Sequence, residues 1–240
     1  MSILRASLAL LVVLSFPARA DVLGIHAGVG FWSYDLEGEI LGSVQLDRDL
    51  NVFDEQGVTA YAALEHPIPV IPNIRVQYSD IATRNIATLQ TDFEFRGFPF
   101  TVGATEDVTF DMTHIDATLY YEIVDIGMDI DVGATLRVFQ GDVTIGPVTE
   151  EVVTYLPAVY ARAKFGLPFS GLYLGGNVNA GGVFTDYEVT VGWETENFIF
   201  PEFGVALGYR SLSIDGDASD IDLQTDVTID GAFITLTGHF

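Results

Sequence analysis

From position 22 to the end of the chain, apolar residues alternate with polar or glycyl ones in segments of about ten residues, a length and period that suit β-strands crossing a membrane at a tilt. Period two fits a strand, whose side chains point to opposite faces in turn, and not a helix. In 22–32 the set Leu23, Ile25, Ala27, Val29 and Phe31 shares one face, against Gly24, His26, Gly28 and Gly30. In 74–81 Ile74, Val76 and Tyr78 oppose Arg75, Gln77 and Ser79. In 129–139 Ile130, Val132, Ala134, Leu136 and Val138 oppose Asp129, Asp131, Thr135 and Arg137. In 153–165 the greasy set runs from Val153 to Phe165, with Tyr160, Arg162 and Lys164 behind it; in 203–209 Leu207 and its neighbours oppose glycines, followed by Arg210.

A soluble β-sandwich also alternates, so the connections matter. They are alternately long and acidic (33–56, 97–106, 141–151, 181–186, 215–226) and short (67–73, 123–127, 166–171, 195–201). That pattern predicts an all-β fold: a transmembrane antiparallel up-and-down barrel of about ten strands, with short periplasmic turns and long acidic extracellular loops. Aromatics near the expected strand ends, among them Trp32, Tyr78, Tyr121, Tyr155, Tyr187 and Trp193, suit interfacial girdles. Mean hydropathy is +0.33 although 34 Asp and Glu face 10 Lys and Arg, a formal charge of -24. Such a charge repels phosphate backbones and argues against nucleic-acid binding. No cysteine is present, which excludes disulfides, thiolate metal sites and cysteine nucleophiles.

Residues 1–20 read as a signal peptide: Arg5, an apolar run over 6–16, then Pro17 and the small-x-small site Ala18-Arg19-Ala20. The run is far short of the roughly 20 residues of a spanning helix. Residues 21–240 form the expected barrel domain, and its location is the outer membrane of a Gram-negative bacterium after signal-directed export.

The last segment places Ile234, Leu236 and Phe240 on one face and Thr235, Thr237 and His239 on the other, an arrangement similar to the C-terminal assembly signal of outer-membrane proteins. Upstream, Val227 and Ile229 have the opposite parity, so the alternation predicts a bulge near Gly231; a similar flip separates Val108, Phe110 and Met112 from Ile115, Ala117 and Leu119. Taken with Gly28-Val29-Gly30-Phe31-Trp32, His66-Pro67-Ile68-Pro69, Pro72-Asn73, Leu167-Pro168-Phe169-Ser170-Gly171-Leu172, Gly208-Tyr209-Arg210 and Gly238-His239-Phe240, the whole segment after the leader resembles an uncharacterised family of small Gram-negative outer-membrane β-barrel proteins. The resemblance implies a location and a fold. It carries no reaction and no catalytic residue.

Three candidate sites follow from the residues. Inward parity groups Arg75, Arg137, Arg162, Lys164 and Arg210 with Asp116, Glu122, Asp129, Asp131, Glu188 and Glu194, either as a charge ladder for a selective pore or as a paired polar core filling a narrow barrel, the latter favoured because unpaired buried charge is costly. His114, flanked by Asp111 and Asp116 with Ser211 or Ser213 on another strand, is the one histidine expected near the outer rim, where it would serve a hydrolase as general base; no Gly-x-Ser-x-Gly motif accompanies these serines. Asp215, Asp217, Asp220 and Asp222 space carboxylates around a glycine in a manner that suits Ca²⁺, and Asp47, Asp49, Asp54 and Glu55 form a second acidic cluster, although an acidic solvated surface is the commoner outcome of such spacing.

The expected role is a structural or passive-transport component of the envelope, monomeric and without a catalytic residue or an obligate cofactor. Outer-membrane lipid and lipopolysaccharide are the expected partners, with the barrel-assembly machinery and periplasmic chaperones during biogenesis. The competing readings are a rim hydrolase centred on His114 and a soluble periplasmic lipid-binding barrel. The soluble form would turn the apolar faces inward.

Overall fold

The computed structural model describes residues 23–195, 201–216 and 224–239. In chain order the elements are β1 (Gly24–Ile40), β2 (Val44–Gln45), α1 (Leu46–Leu50), β3 (Glu55–Glu65), β4 (Asn73–Ser79), β5 (Ala82–Thr88), β6 (Phe93–Phe95), β7 (Phe98–Phe100) and β8 (Thr105–Asp111). They continue with β9 (His114–Asp125), β10 (Met128–Ile145), β11 (Val148–Gly166), β12 (Leu172–Gly181), β13 (Phe184–Glu194), β14 (Glu202–Gly216) and β15 (Thr225–His239). Ten of them, β1, β3, β4 and β9 to β15, close into an antiparallel ring: β15 pairs with β1, β4 with β9, and the others with their chain neighbours. The connections 66–72, 126–127 and 167–171, with the start of β1 and the end of β15, lie at one end of the ring, here the lower. β5 and β8 continue β4 and β9 upward as a hairpin, with β8 also pairing the top of β10.

The alternation directs each side chain as the sequence requires. Val29, Phe31, Val76, Leu136, Val159, Val189, Leu207, Ile234 and Leu236 face outward and are exposed, Leu207 at 56% and Leu236 at 60%. They form a continuous apolar band, and soluble monomers rarely expose one so extensive. Above the band the outward positions turn polar: Ser33, Asp35 and Glu37 on β1, Asp230 and Thr228 on β15. At the same height the inward positions turn apolar.

That exchange corrects the expectation of a bulge at Gly231. The β1–β15 register runs without interruption from His26↔His239 through Tyr34↔Gly231 to Ile40↔Thr225, so strand parity never changes. What changes is the apolar side of the sheet: Ile234 and Leu236 point out of the ring, whereas Val227 and Ile229, of opposite parity, are buried inside it. Val108, Phe110 and Met112 against Ile115 and Leu119 repeat the same exchange across the β8–β9 junction.

Inside the upper half, Trp32, Tyr34, Leu36, Phe139, Phe184, Leu212, Ile214, Val227 and Ile229 pack into one buried cluster. It continues upward through Leu46 and Leu50 of α1, Ile81, Leu89, Phe95, Phe100, Phe110 and Ile145. Much of the sequence expected as loop is therefore strand: β1 runs to Ile40, and β10 and β11 extend over 141–151 with only Gly146 and Pro147 between them. Burying one side of a strand above the band is enough to order it there. α1 is seated by its own chemistry: Asp49, fully buried, accepts from Arg48 Nη2 at 2.7 Å and from the Gln45 N–H at 2.9 Å. Asn51 ends the helix in the left-handed region at φ 54°.

Lower down, inward glycines give the narrow lumen room for rings. A Cβ at Gly28 would lie 2.4 Å from the Tyr61 ring, and one at Gly192 2.3 Å from Tyr173, so each ring lies flat against the strand opposite it.

Candidate functional site

Across the middle of the barrel lies a layer of buried charge. Arg137 on β10 donates to both oxygens of Asp116 on β9, at 2.7 Å each, and to Asp186 on β13 at 2.5 Å. Arg210 on β14 reaches the same Asp186 through Nε at 2.9 Å and Nη2 at 2.7 Å, and donates to Ser79 at 3.0 Å. Two guanidiniums thus meet two carboxylates, with Asp186 shared, and all four residues are buried. Their aliphatic and π surfaces join the core above: the Arg210 guanidinium lies 4.6 Å from the Trp32 ring centroid and that of Arg137 lies 4.4 Å from Phe184.

His114 completes the layer. Its Nδ1 donates to the Met112 carbonyl at 3.0 Å, which leaves Nε2 to accept from Arg210 at 3.3 Å. The ring is buried against Phe139, so the residue expected at the rim is enclosed, with both nitrogens occupied. Asp111 caps the Thr113 N–H, and Ser213 pairs with Thr228. Neither side chain supplies a relay to His114. The donor atoms of His114, Asp116 and Asp186 come within 4.8 Å of one another, but the guanidiniums already occupy these carboxylates.

Below the layer, Thr118, Thr135 and Asn179 form a short hydrogen-bonded chain. A 40 Å³ gap under Trp32, bounded by Arg75, Gln77, Glu188 and Arg210, is large enough for a water beside the buried indole N–H. The lumen then opens downward into a vestibule of about 1230 Å³. Arg162 pairs with Asp131 at 3.0 Å and Lys164 with Glu194 at 2.6 Å on its wall. Glu65 accepts from the Tyr120 hydroxyl at 2.7 Å and faces His26.

The inward set read from the sequence therefore divides by height. Arg137, Asp116 and Arg210 lie in the sealed layer, with Glu188 3.7 Å from Arg210. Arg75 stacks on Tyr61 at 3.8 Å and donates to Gln77. Asp129, Asp131, Arg162, Lys164, Glu194 and Glu122 line the vestibule, Glu122 at its exposed margin with Asp125 and Asp129 close by. Asp186, the acid that ties both arginines together, was missed because 181–186 reads as a connection. Its parity with Glu188 was the available signal. Of the candidate Ca²⁺ loop only Asp215 is described, at the top of β14; Asp217, Asp220 and Asp222 lie outside the described residues, as do Phe240 and the leader.

No protein-family model matches the chain, and no curated protein matches it. Among solved structures it is similar to a crystal structure of Neisserial surface protein A (NspA), with 11% identity, 90% of this chain and 97% of that chain covered, and a TM-score of 0.33. It is also similar to a FadL homologue from Pseudomonas aeruginosa, with 8% identity, 92% and 90% coverage, and a TM-score of 0.35.

Proposed function

We propose that this chain is an outer-membrane β-barrel of a Gram-negative envelope that acts as a closed structural element carrying a folded lobe at the cell surface, and not as a diffusion pore. The observation that carries this reading is the filled lumen. Any path through the ring meets the Arg137–Asp116–Asp186–Arg210 layer and then the apolar cluster from Trp32 to Ile229. A solute-conducting ladder of charge would need solvent beside it, whereas these four side chains are buried and ion-paired with one another.

The outward band supports insertion into lipid, since strands in a closed ring leave no unpaired backbone there. Charged residues inside and apolar ones outside argue against the soluble lipid-binding barrel, and the enclosed His114 argues against the rim hydrolase. In this orientation the short turns and both strand ends face the periplasm, and the β5–β8 lobe with α1 faces outward. Lipid and lipopolysaccharide surround the band, and the terminal Ile234, Leu236 and Phe240 serve recognition by the assembly machinery. Planar-bilayer recording of the purified protein tests the proposal: no stepwise conductance is expected, and reproducible single-channel steps would overturn it.

A further inference from the structure

We propose that the lower rim of the barrel is seated in the inner leaflet of the membrane, with the turns at 66–72 and 167–171 held among lipid at the boundary of headgroups and acyl chains instead of standing in periplasmic water. The proposal rests on the reading that the outward band faces lipid, and it carries that contact past the ends of the strands. Neither turn contains Asp, Glu, Lys or Arg. Val70 in the first turn is 80% exposed and Phe169 in the second 98%, with Ile68, Ile71 and Leu167 exposed beside them. None of these five side chains lines the vestibule. Each turn continues the band: Ile74 follows the first, and Phe165 and Leu172 flank the second, all three apolar and exposed. At the upper end, by contrast, the outward positions of β1 pass to Ser33, Asp35 and Glu37 as soon as the band stops.

The backbone of the first turn suits a dry site. Pro67, Pro69 and Pro72 have no N–H to satisfy, and His66, Ile68 and Ile71 donate theirs to Asn73 Oδ1 at 3.0 Å, His66 Nδ1 at 3.2 Å and the Ile68 carbonyl at 3.2 Å. With Nδ1 accepting, His66 Nε2 carries the proton and donates to the Pro72 carbonyl at 3.3 Å, while the Tyr121 hydroxyl donates to the Val70 carbonyl at the same distance. In the second turn the Leu167 N–H donates to the Leu172 carbonyl at 2.7 Å, and Ser170 Oγ donates to the Leu167 carbonyl at 2.8 Å and accepts from the Leu172 N–H at 3.1 Å. Height points the same way. On β4 the outward apolar run is Ile74 to Tyr78, with Asp80 next at that parity. Four steps of about 3.3 Å at a tilt of about 40° rise roughly 10 Å, well short of an apolar band of about 25 Å, and the turn below supplies apolar surface where the strand does not. Phe169 stands at φ 61°, a backbone region that bulky residues rarely adopt and that a turn in water would fill with Gly or Asn. The two turns also lie four strands apart in the ring of ten. A leaflet that surrounds the ring meets both at once, whereas a protein docked on one side would meet one.

A nitroxide attached at Val70→Cys or Phe169→Cys, the only thiol in a chain without native cysteine, reports its surroundings by its collisions with O₂, which concentrates in lipid, and with a water-soluble nickel chelate. The protein is reconstituted in vesicles of phosphatidylethanolamine and phosphatidylglycerol with the chelate on both sides. At both positions the ratio of O₂ to nickel collisions should lie closer to that of Leu236→Cys, in the exposed apolar band, than to that of Asp47→Cys on the surface lobe. Folding of each variant is checked by its migration on unheated gels. A ratio matching Asp47→Cys at either turn, while Leu236→Cys reads lipid, would overturn the seating of the rim and leave the proposed function standing. If Leu236→Cys also reads water, both readings fail. Phe169→Asn adds an independent sign. Asn adopts a positive φ with less strain than Phe, so with the turn in water the urea midpoint would hold or rise. With the turn in lipid, loss of the ring should lower the midpoint of the vesicle-reconstituted protein, and an unchanged or higher midpoint would overturn the proposal.

Discussion

Replacing Asp186 by Asn keeps the shape of the side chain and removes the charge that both buried arginines share. Three charge-assisted hydrogen bonds end on Asp186, one from Arg137 at 2.5 Å and two from Arg210 at 2.9 and 2.7 Å. After the change the layer holds two guanidiniums and one carboxylate. Arg137 keeps its two-oxygen grip on Asp116, but Arg210 retains only Ser79, His114 and Glu188 at 3.7 Å. Breaking a buried pair by removing one partner costs about 3–5 kcal/mol, because the surviving charge stays out of water. Urea unfolding of the detergent-refolded protein reads this directly, and Trp32, against which Arg210 lies, is a buried fluorophore packed on the layer. Glu194→Gln is the comparison: its partner Lys164 is part-exposed, and such pairs contribute about 0–1 kcal/mol. The double variant Asp186→Leu with Arg210→Met should recover most of the loss, since apolar replacement of a buried pair is often neutral or stabilising. An Asp186→Asn variant within about 1 kcal/mol of the parent, a cost typical of an exposed pair, would show that the layer is solvated and the reasoning wrong.

Two further outcomes follow from other parts of the molecule. Leu207→Arg, at an outward position in the apolar band, should cost about 2–4 kcal/mol in the same unfolding assay, while Thr237→Arg on the vestibule wall is tolerated; equal costs would count against lipid on the outside. At Asp49, burial alone would raise the carboxyl pKa, but the Arg48 guanidinium and the Gln45 N–H more than offset it and hold the value below the ordinary one. Its contribution is therefore complete above the unfolded pKa of about 3.9 and is lost as pH falls through the lower folded value. A spin label at Asp47→Cys, clean in a chain without native cysteine, should gain mobility in that acid window in the parent and show no such transition in an Asp49→Asn background.

The strand faces were legible in the sequence because every neighbour of the barrel wall imposes period two, whichever side it stands on. The side itself was not legible. At Val227 and Ile229, and again at Val108 and Phe110, the apolar parity inverts because the upper lumen is drier than the outer surface beside it, and the simplest sequence account, a bulge, was the wrong one. His114 was placed near the rim because it follows closely on the connection read at 97–106, whereas β5 and β8 carry the wall on above it and the ring is buried. The pairing of Arg137 and Arg210 across one acid depended on three strands meeting at one height, which is a property of barrel stagger and not of any local segment.

The ring also concentrates its difficulty in a single contact. Most of its strand pairs are hairpins between chain neighbours, and β4 and β9 are joined through a folded hairpin of their own; β1 and β15 come from opposite ends of the chain. Local pairs form early and with little loop entropy, so what remains is one distant joint whose closure completes every other strand's environment. Until it forms, both terminal strands present bare N–H and C=O groups, each of which costs several kcal/mol in hydrocarbon. The open sheet is therefore a poor resident of a bilayer, and the last joint acts as the commitment step that decides whether the rest of the molecule keeps its place.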